Sequence, residues 1–215
     1  MKNKFKLNPL KVMVDPRGFM KIRQAKSKIA VLLLAWIVGI VLVFAKSYAL
    51  GLGNQFSPLV IIVTAVILGI PIGYFVFYIT AFFLYLTGKI FRGIGSFSDL
   101  LYAFVWSRVP ELFQLIAWIG IIALYKYRAF TPFYIFGQNI SILAYLLLIA
   151  QVVFTVWKSI ILFHTVGEVQ GYSAWVAIWN VLLTFAILFC IDYLFNLIFI
   201  SNFKLKAVAT IISFL

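Results

Sequence analysis

The stretch LVIIVTAVILGIPIGYFVFYITAFFLYL, residues 59–86, runs without a single charged side chain. A hydrocarbon core of about 30 Å is crossed by about 20 helical residues, so this segment spans a bilayer with length to spare. Outward from it, comparable apolar windows fall near residues 29–46, 100–125, 140–163 and 174–200. The chain is 65% hydrophobic with a mean hydropathy of +1.12, against about 45–50% apolar in ordinary soluble domains. A water-soluble fold has no way to hide that much apolar surface. The pattern predicts an all-α, polytopic membrane helix bundle. It has a basic tail with a juxtamembrane interfacial helix over residues 1–28, five transmembrane helices over 29–200, and a short C-terminal tail over 201–215.

Within the deciding stretch, Gly69-Ile70-Pro71-Ile72-Gly73 removes one backbone donor and lowers helix stability at two positions, which predicts a kink. Gly69 and Gly73 also have the small-xxx-small spacing that lets two helices approach closely. Such a face suits a second copy of the chain as well, so homo-oligomerisation stays open.

The third window contains Arg108, Pro110 and Glu111, which are costly against lipid. A split resolves the conflict. Ser98 or Asp99 caps a short interfacial helix through about Val109, and Pro110 then begins the spanning helix at its first turn, where its missing N–H costs nothing. The apolar run Ile29–Ala45 exceeds the roughly 7–15 residues of a secretory-signal core and follows a long basic segment, so it is read as a retained first helix. Aromatic residues from Tyr125 to Tyr134, and Trp157, Tyr172, Trp175 and Trp179, read as headgroup-level boundary markers. Gly167 and Gly171 read as turn residues, and Ser173 as the N-cap of the fifth helix.

Only 11% of residues are charged, yet the net charge is +13, and nine of the 18 basic residues fall in the first 28 positions. A membrane surface is the nearest anion to that tail, and no nucleic-acid recognition motif accompanies the charge, so nucleic acid is not expected as a partner. Asp15-Pro16 reads as N-cap and first residue of a short helix. The cations Arg17, Lys21, Arg23, Lys26 and Lys28, interleaved with Phe19, Met20 and Ile22, are expected to meet anionic headgroups. Lys89, Arg92, Arg108 and Lys158 fall on the same side as the tail, against Lys46, Lys126, Arg128, Lys204 and Lys206 on the other. That bias predicts a cytoplasmic N-terminus and, with five spans, an extracytoplasmic C-terminus.

One histidine, His164, and one cysteine, Cys190, leave no set for a Cys-based or His-based metal site and no intrachain disulfide. Neither H-E-x-x-H nor G-x-x-x-x-G-K-[ST] occurs. Gly93-Ile94-Gly95-Ser96 looks only superficially like a loop presenting a serine nucleophile. No catalytic residue, cofactor or metal is expected, and the chain reads as a protein that is not an enzyme. The pointers to function are the charges expensive in lipid: Arg108, Glu111, Lys158, Glu168 and Asp192. Arg108 and Glu111, three apart, suit a local salt bridge. Lys158 is placed to snorkel, and Asp192 lies late in the fifth span, either at the outer interface or as a buried acid.

Taken together, several segments resemble the Yip domain family, the Ypt-interacting proteins, in its bacterial form. They are Asp15-Pro16-Arg17 in a basic tail and Gly93-Ile94-Gly95-Ser96-Phe97-Ser98-Asp99-Leu100 running into Tyr102-Ala103-Phe104-Val105-Trp106-Ser107-Arg108-Val109-Pro110. Trp157-Lys158 is followed by Gly167-Glu168-Val169-Gln170-Gly171-Tyr172-Ser173 and Trp175-Val176-Ala177-Ile178. Where relatives often carry Tyr-Ser-x-x-Pro, this chain has Trp106-Ser107-Arg108-Val109-Pro110. The resemblance implies five helices with a cytosolic N-terminus, Rab-type GTPase contacts in eukaryotic members, and service beside membrane exporters in some bacterial ones.

The resulting expectation is a non-enzymatic integral membrane accessory or scaffold protein of the cell membrane, acting through a membrane-protein partner such as an exporter or trafficking component. Arg108, Pro110, Glu111, Glu168 and Gln170 are its candidate partner-binding residues, and Lys158 and Asp192 its candidate intramembrane polar residues. The alternative is a small-solute permease or lipid-handling protein with a pathway between the second and fifth spans.

Overall fold

The computed structural model describes residues 9–21, 27–131 and 142–212. Two short helices, α1 (Lys11–Val14) and α2 (Pro16–Met20), precede the long ones. Asp15 separates them and caps α2, its carboxylate accepting from Gly18 N at 2.9 Å, with Pro16 at the first helical position. This is the predicted start signal. The helices are seated on the bundle: Val12 and Phe19 are buried, the Phe19 ring meets Trp106 edge-on at 4.9 Å, and the Trp157 indole donates to Met13 O at 3.3 Å.

Five segments are long and apolar enough to cross a membrane, and the protein is a multi-pass membrane protein. Helix α3 (Lys28–Ala49) starts at a Ser27 cap and α4 (Pro58–Ile90) at a Ser57 cap followed by proline. Helix α4 stays helical through Pro71, which faces outward, and at about 1.5 Å per residue it reaches well past a hydrocarbon core. The GIPIG segment serves close packing inside the chain. A Cβ built on Gly39 of α3 would fall on the Gly69 carbonyl, and one on Gly73 would fall on the Ala35 carbonyl. The two backbones therefore touch, and the Trp36 indole seals the seam by donating to Val66 O at 2.9 Å.

The third span is split, as its charges predict, into α5 (Phe97–Ser107) and α6 (Glu111–Tyr125), joined by Arg108-Val109-Pro110. Two details differ from expectation. The cap is Ser96, two residues before Ser98. Its hydroxyl accepts from Asp99 N at 3.2 Å and donates to the Asp99 carboxylate at 2.6 Å, a reciprocal cap. Nor is α5 peripheral to the bundle: Leu100, Ala103, Phe104, Val105 and Trp106 are all buried. The reason is that α2, α4 and the later helix over Ile142–Gln170 cover it, with Phe104 edge-on to Phe77 at 5.7 Å.

Helices α7 (Ile142–Gln170) and α8 (Ala174–Ile212) complete the bundle, α8 running past the boundary expected at residue 200. Between them Gly171 takes φ +76°, a left-handed conformation that suits glycine, and Ser173 caps α8 by accepting from Val176 N at 3.4 Å. Gly167 is still inside α7. The core divides in two. One cluster, at the end carrying α1 and α2, joins α2, α3, α4, α5, α7 and α8, and the other joins α3, α4 and α6 at the far end. Phe130, expected at headgroup level, plugs the far cluster: it is fully buried against Phe44 at 5.4 Å and Trp118 at 5.9 Å. The rest of that aromatic run, residues 132–134, lies outside the described residues, as do Arg23 and Lys26.

Candidate functional site

The break between α5 and α6 decides where the charges go. Pro110 directly precedes Glu111, the first residue of α6, and the turn is closed by Glu111 N donating to Arg108 O at 2.9 Å. The Glu111 carboxylate thus sits where the free N–H groups of a helix start favour negative charge. One turn of α7 faces it. Glu111 Oε1 accepts from Lys158 Nζ at 2.8 Å and from Arg108 Nη1 at 3.2 Å, and the Glu111 side chain is only 2% exposed.

Uncharged amides extend the cluster along the same seam. Lys158 Nζ also donates to Gln114 Oε1 at 3.2 Å. Gln114 Nε2 donates to Gln151 O at 3.0 Å and Thr155 Oγ1 at 2.8 Å, and Gln151 Nε2 returns a bond to Gln114 O at 3.0 Å. Each amide therefore bonds the backbone of the opposite helix, which fixes the register of α6 on α7. The Arg108 guanidinium lies over the Phe104 ring at 4.1 Å. Arg108 Nε and Glu111 Oε2 are buried without a hydrogen-bond partner, and among the described residues two cations share this one carboxylate.

The structure brings Arg108, Pro110, Glu111 and Lys158 together and separates the other candidates from them. Gln170, placed by the sequence among partner-binding residues, is buried and spent inside the chain: Gly95 N donates to its Oε1 at 3.0 Å and its Nε2 reaches Leu84 O at 3.4 Å. Gly88 and Gly93 are glycines because a Cβ at either would strike that amide. Glu168 lies at the end of the bundle, 3.6 Å from Lys21, and ties α2 to α7. Arg17 lies against the same end of α7 near Gly167, and Lys28 opens α3 on an exposed face. Asp192 is exposed on α8, beyond the charged cluster, and His164 is half-buried on α7.

Sequence reasoning missed the polar seams between apolar helices. Besides Gln114, Gln151 and Thr155, a second buried set joins α4 to α8. The Thr87 hydroxyl donates to Asn180 Oδ1 at 2.5 Å and pairs with the Thr184 hydroxyl at 2.7 Å, and Asn180 Nδ2 reaches the Tyr172 hydroxyl. Burial pushes the Tyr172 phenol up to about 12, so it keeps its proton at neutral pH. The available signal was the four-residue spacing of Gln151–Thr155 and Asn180–Thr184 inside otherwise apolar windows, which lines polar groups along one helix face.

Among the described residues, no group of three or more His, Cys, Asp or Glu is placed to hold a metal ion. No curated protein and no solved structure matches the chain. Residues 10–194, from just before α1 to partway along α8, match the Yip1 domain. The chain belongs to the Yip1 domain family.

Proposed function

We propose that the protein is a non-enzymatic accessory or scaffold of the cell membrane that acts by holding a second membrane protein, such as an exporter or a trafficking component, against α7. The observation that carries this reading is the two-sidedness of α7. Its inner face, Gln151, Thr155 and Lys158, is engaged by α6, while its outer flank is a stripe of exposed apolar side chains that includes Leu146, Ile149, Val153, Val156 and Ile160. In its most apolar stretch α7 is only 11% buried within the chain, against 44% for α3. A helix clamped on one side and bare on the other is a rigid ledge, and packing between spans needs such a surface because lipid supplies no hydrophobic drive.

The same helix carries the ends that would reach a partner outside the bilayer. Trp157 holds α1, Glu168 holds Lys21, and the basic tail of Arg17, Lys21, Arg23, Lys26 and Lys28 would rest on anionic headgroups at the cytoplasmic surface, with the C-terminus across the membrane. Arg108 and Glu111 then support the ledge from behind.

The test is mild crosslinking in the native membrane, followed by affinity purification of the tagged chain beside an unrelated five-span protein. Reproducible enrichment of one transporter or small GTPase is expected, weakened when Val153 and Val156 are both replaced by Trp. Recovery of the chain with only itself and lipid would overturn the reading.

A further inference from the structure

The charged cluster opens sideways. A groove of about 170 Å³ lies between α7 and α8, with Arg108 and Lys158 in its polar part and Leu162, Val181, Leu182 and Phe185 among its apolar walls. Leu182 is 50% exposed and Phe185 40% exposed, so the mouth faces outward within the apolar part of α8, where acyl chains pack.

Three features of the groove point to one missing partner. First, its charges do not balance: among the described residues, Glu111 is the only acid that bonds either cation, which leaves one positive charge enclosed by apolar helices. Charge without a counter-charge is costly in such surroundings. Second, donor capacity is left over. Lys158 uses two of its three protons, on Glu111 and Gln114, and Arg108 Nε is buried with no acceptor. Third, the walls beyond the cations are apolar apart from Ser159, whose hydroxyl donates to Thr155 O at 3.0 Å.

We infer that this groove seats the phosphate of an anionic phospholipid, with Arg108 and Lys158 on the phosphate and an acyl chain along Val181, Leu182 and Phe185. A lipid fits where a soluble phosphate does not, because the mouth opens onto the apolar flank of the bundle rather than its end. The seat differs from the surface attraction of the basic tail, since it is a groove walled by α7 and α8 and takes one lipid. It holds independently of any protein partner, since only this chain and a bilayer are required.

The test is native mass spectrometry of the full chain, released from nanodiscs holding equal amounts of phosphatidylglycerol and phosphatidylcholine. The wild type is expected to retain one phosphatidylglycerol per chain in preference to phosphatidylcholine. Lys158→Gln leaves Arg108 and Glu111 as a neutral pair and should cut that retention about tenfold, the loss of one charge-assisted contact. Leu182→Trp blocks the mouth without touching a charge and should reduce retention to a similar degree, which keeps the test decisive if Lys158→Gln does not fold. Lys46→Gln, which removes an exposed cation in the last turn of α3, should leave retention unchanged. Equal retention of the two lipids by the wild type would overturn the inference. So would wild-type retention by the folded Leu182→Trp variant, or a loss in Lys46→Gln matching that in Lys158→Gln.

Discussion

Helices α3 and α4 meet through the absence of side chains, whereas α6 and α7 meet through an excess of polar ones. At the first seam Gly39, Gly69, Gly73 and Ala35 bring two backbones into contact, and the attraction is dispersion summed over a long, close interface. At the second, Glu111, Lys158, Gln114 and Gln151 set two helices in register by directed bonds. The first tolerates almost no added volume and carries no information about charge. The second tolerates changes of shape at its edges but not the loss of one charged partner. The protein thus has a seam that fixes distance and another that fixes register, and only the second leaves a net charge to be met from outside.

Unequal perturbations should break that contrast. Glu111→Ala strands two cations inside the bundle and should lower stability by about 3–5 kcal/mol, read from thermal unfolding in detergent. Adding Lys158→Gln should recover part of the loss, and no recovery would mean that the two side chains are not a coupled pair. Gly39→Ala drives a methyl group into the Gly69 carbonyl and should cost about 1–3 kcal/mol. Gly120→Ala on α6 meets only the movable tips of Leu147, so its loss should be much the smaller of the two. Similar losses at both glycines would remove the distinction between the seams.

Gln114→Leu keeps the volume of the second seam and deletes three side-chain bonds. Interhelical bonds in membranes contribute about 0.6 kcal/mol each on average, so a loss of about 1–2 kcal/mol is expected. Asp15→Ala acts on neither seam. It should leave the melting temperature nearly unchanged while raising hydrogen exchange at residues 16–20, because only the α2 cap is lost.

Much of this architecture was legible in the sequence, because hydropathy dictates where a chain can cross a bilayer. The windows near 29–46 and 59–86 became Lys28–Ala49 and Pro58–Ile90, and the charges at 108–111 correctly divided the third span. Where the reading stopped short, tertiary partners had made polar residues affordable. The fourth window was closed at residue 163, before His164, yet α7 continues to Gln170. Thr165 donates to Ala103 O at 3.2 Å and the Gln170 amide is cradled by Gly88, Gly93 and Gly95. The spacing of Gly69 and Gly73 announced a close approach but not its partner, since nothing local to α4 distinguishes α3 from a second chain. At the site, the charged members were visible one by one as residues expensive in lipid. Their assembly was not, because Glu111 and Lys158 lie 47 positions apart and their meeting depends on how α6 packs on α7.

The claim that α7 is clamped on one side and offered on the other is tested most directly by a photoreactive side chain at Val152 or Val156 of α7, compared with one at Ile67 or Phe75 of α4, all four exposed. Irradiation in native membranes should give one protein adduct of the same mass from both α7 positions and none of that mass from α4. Lipid adducts alone at all four positions, or the same protein adduct from both helices, would contradict the account.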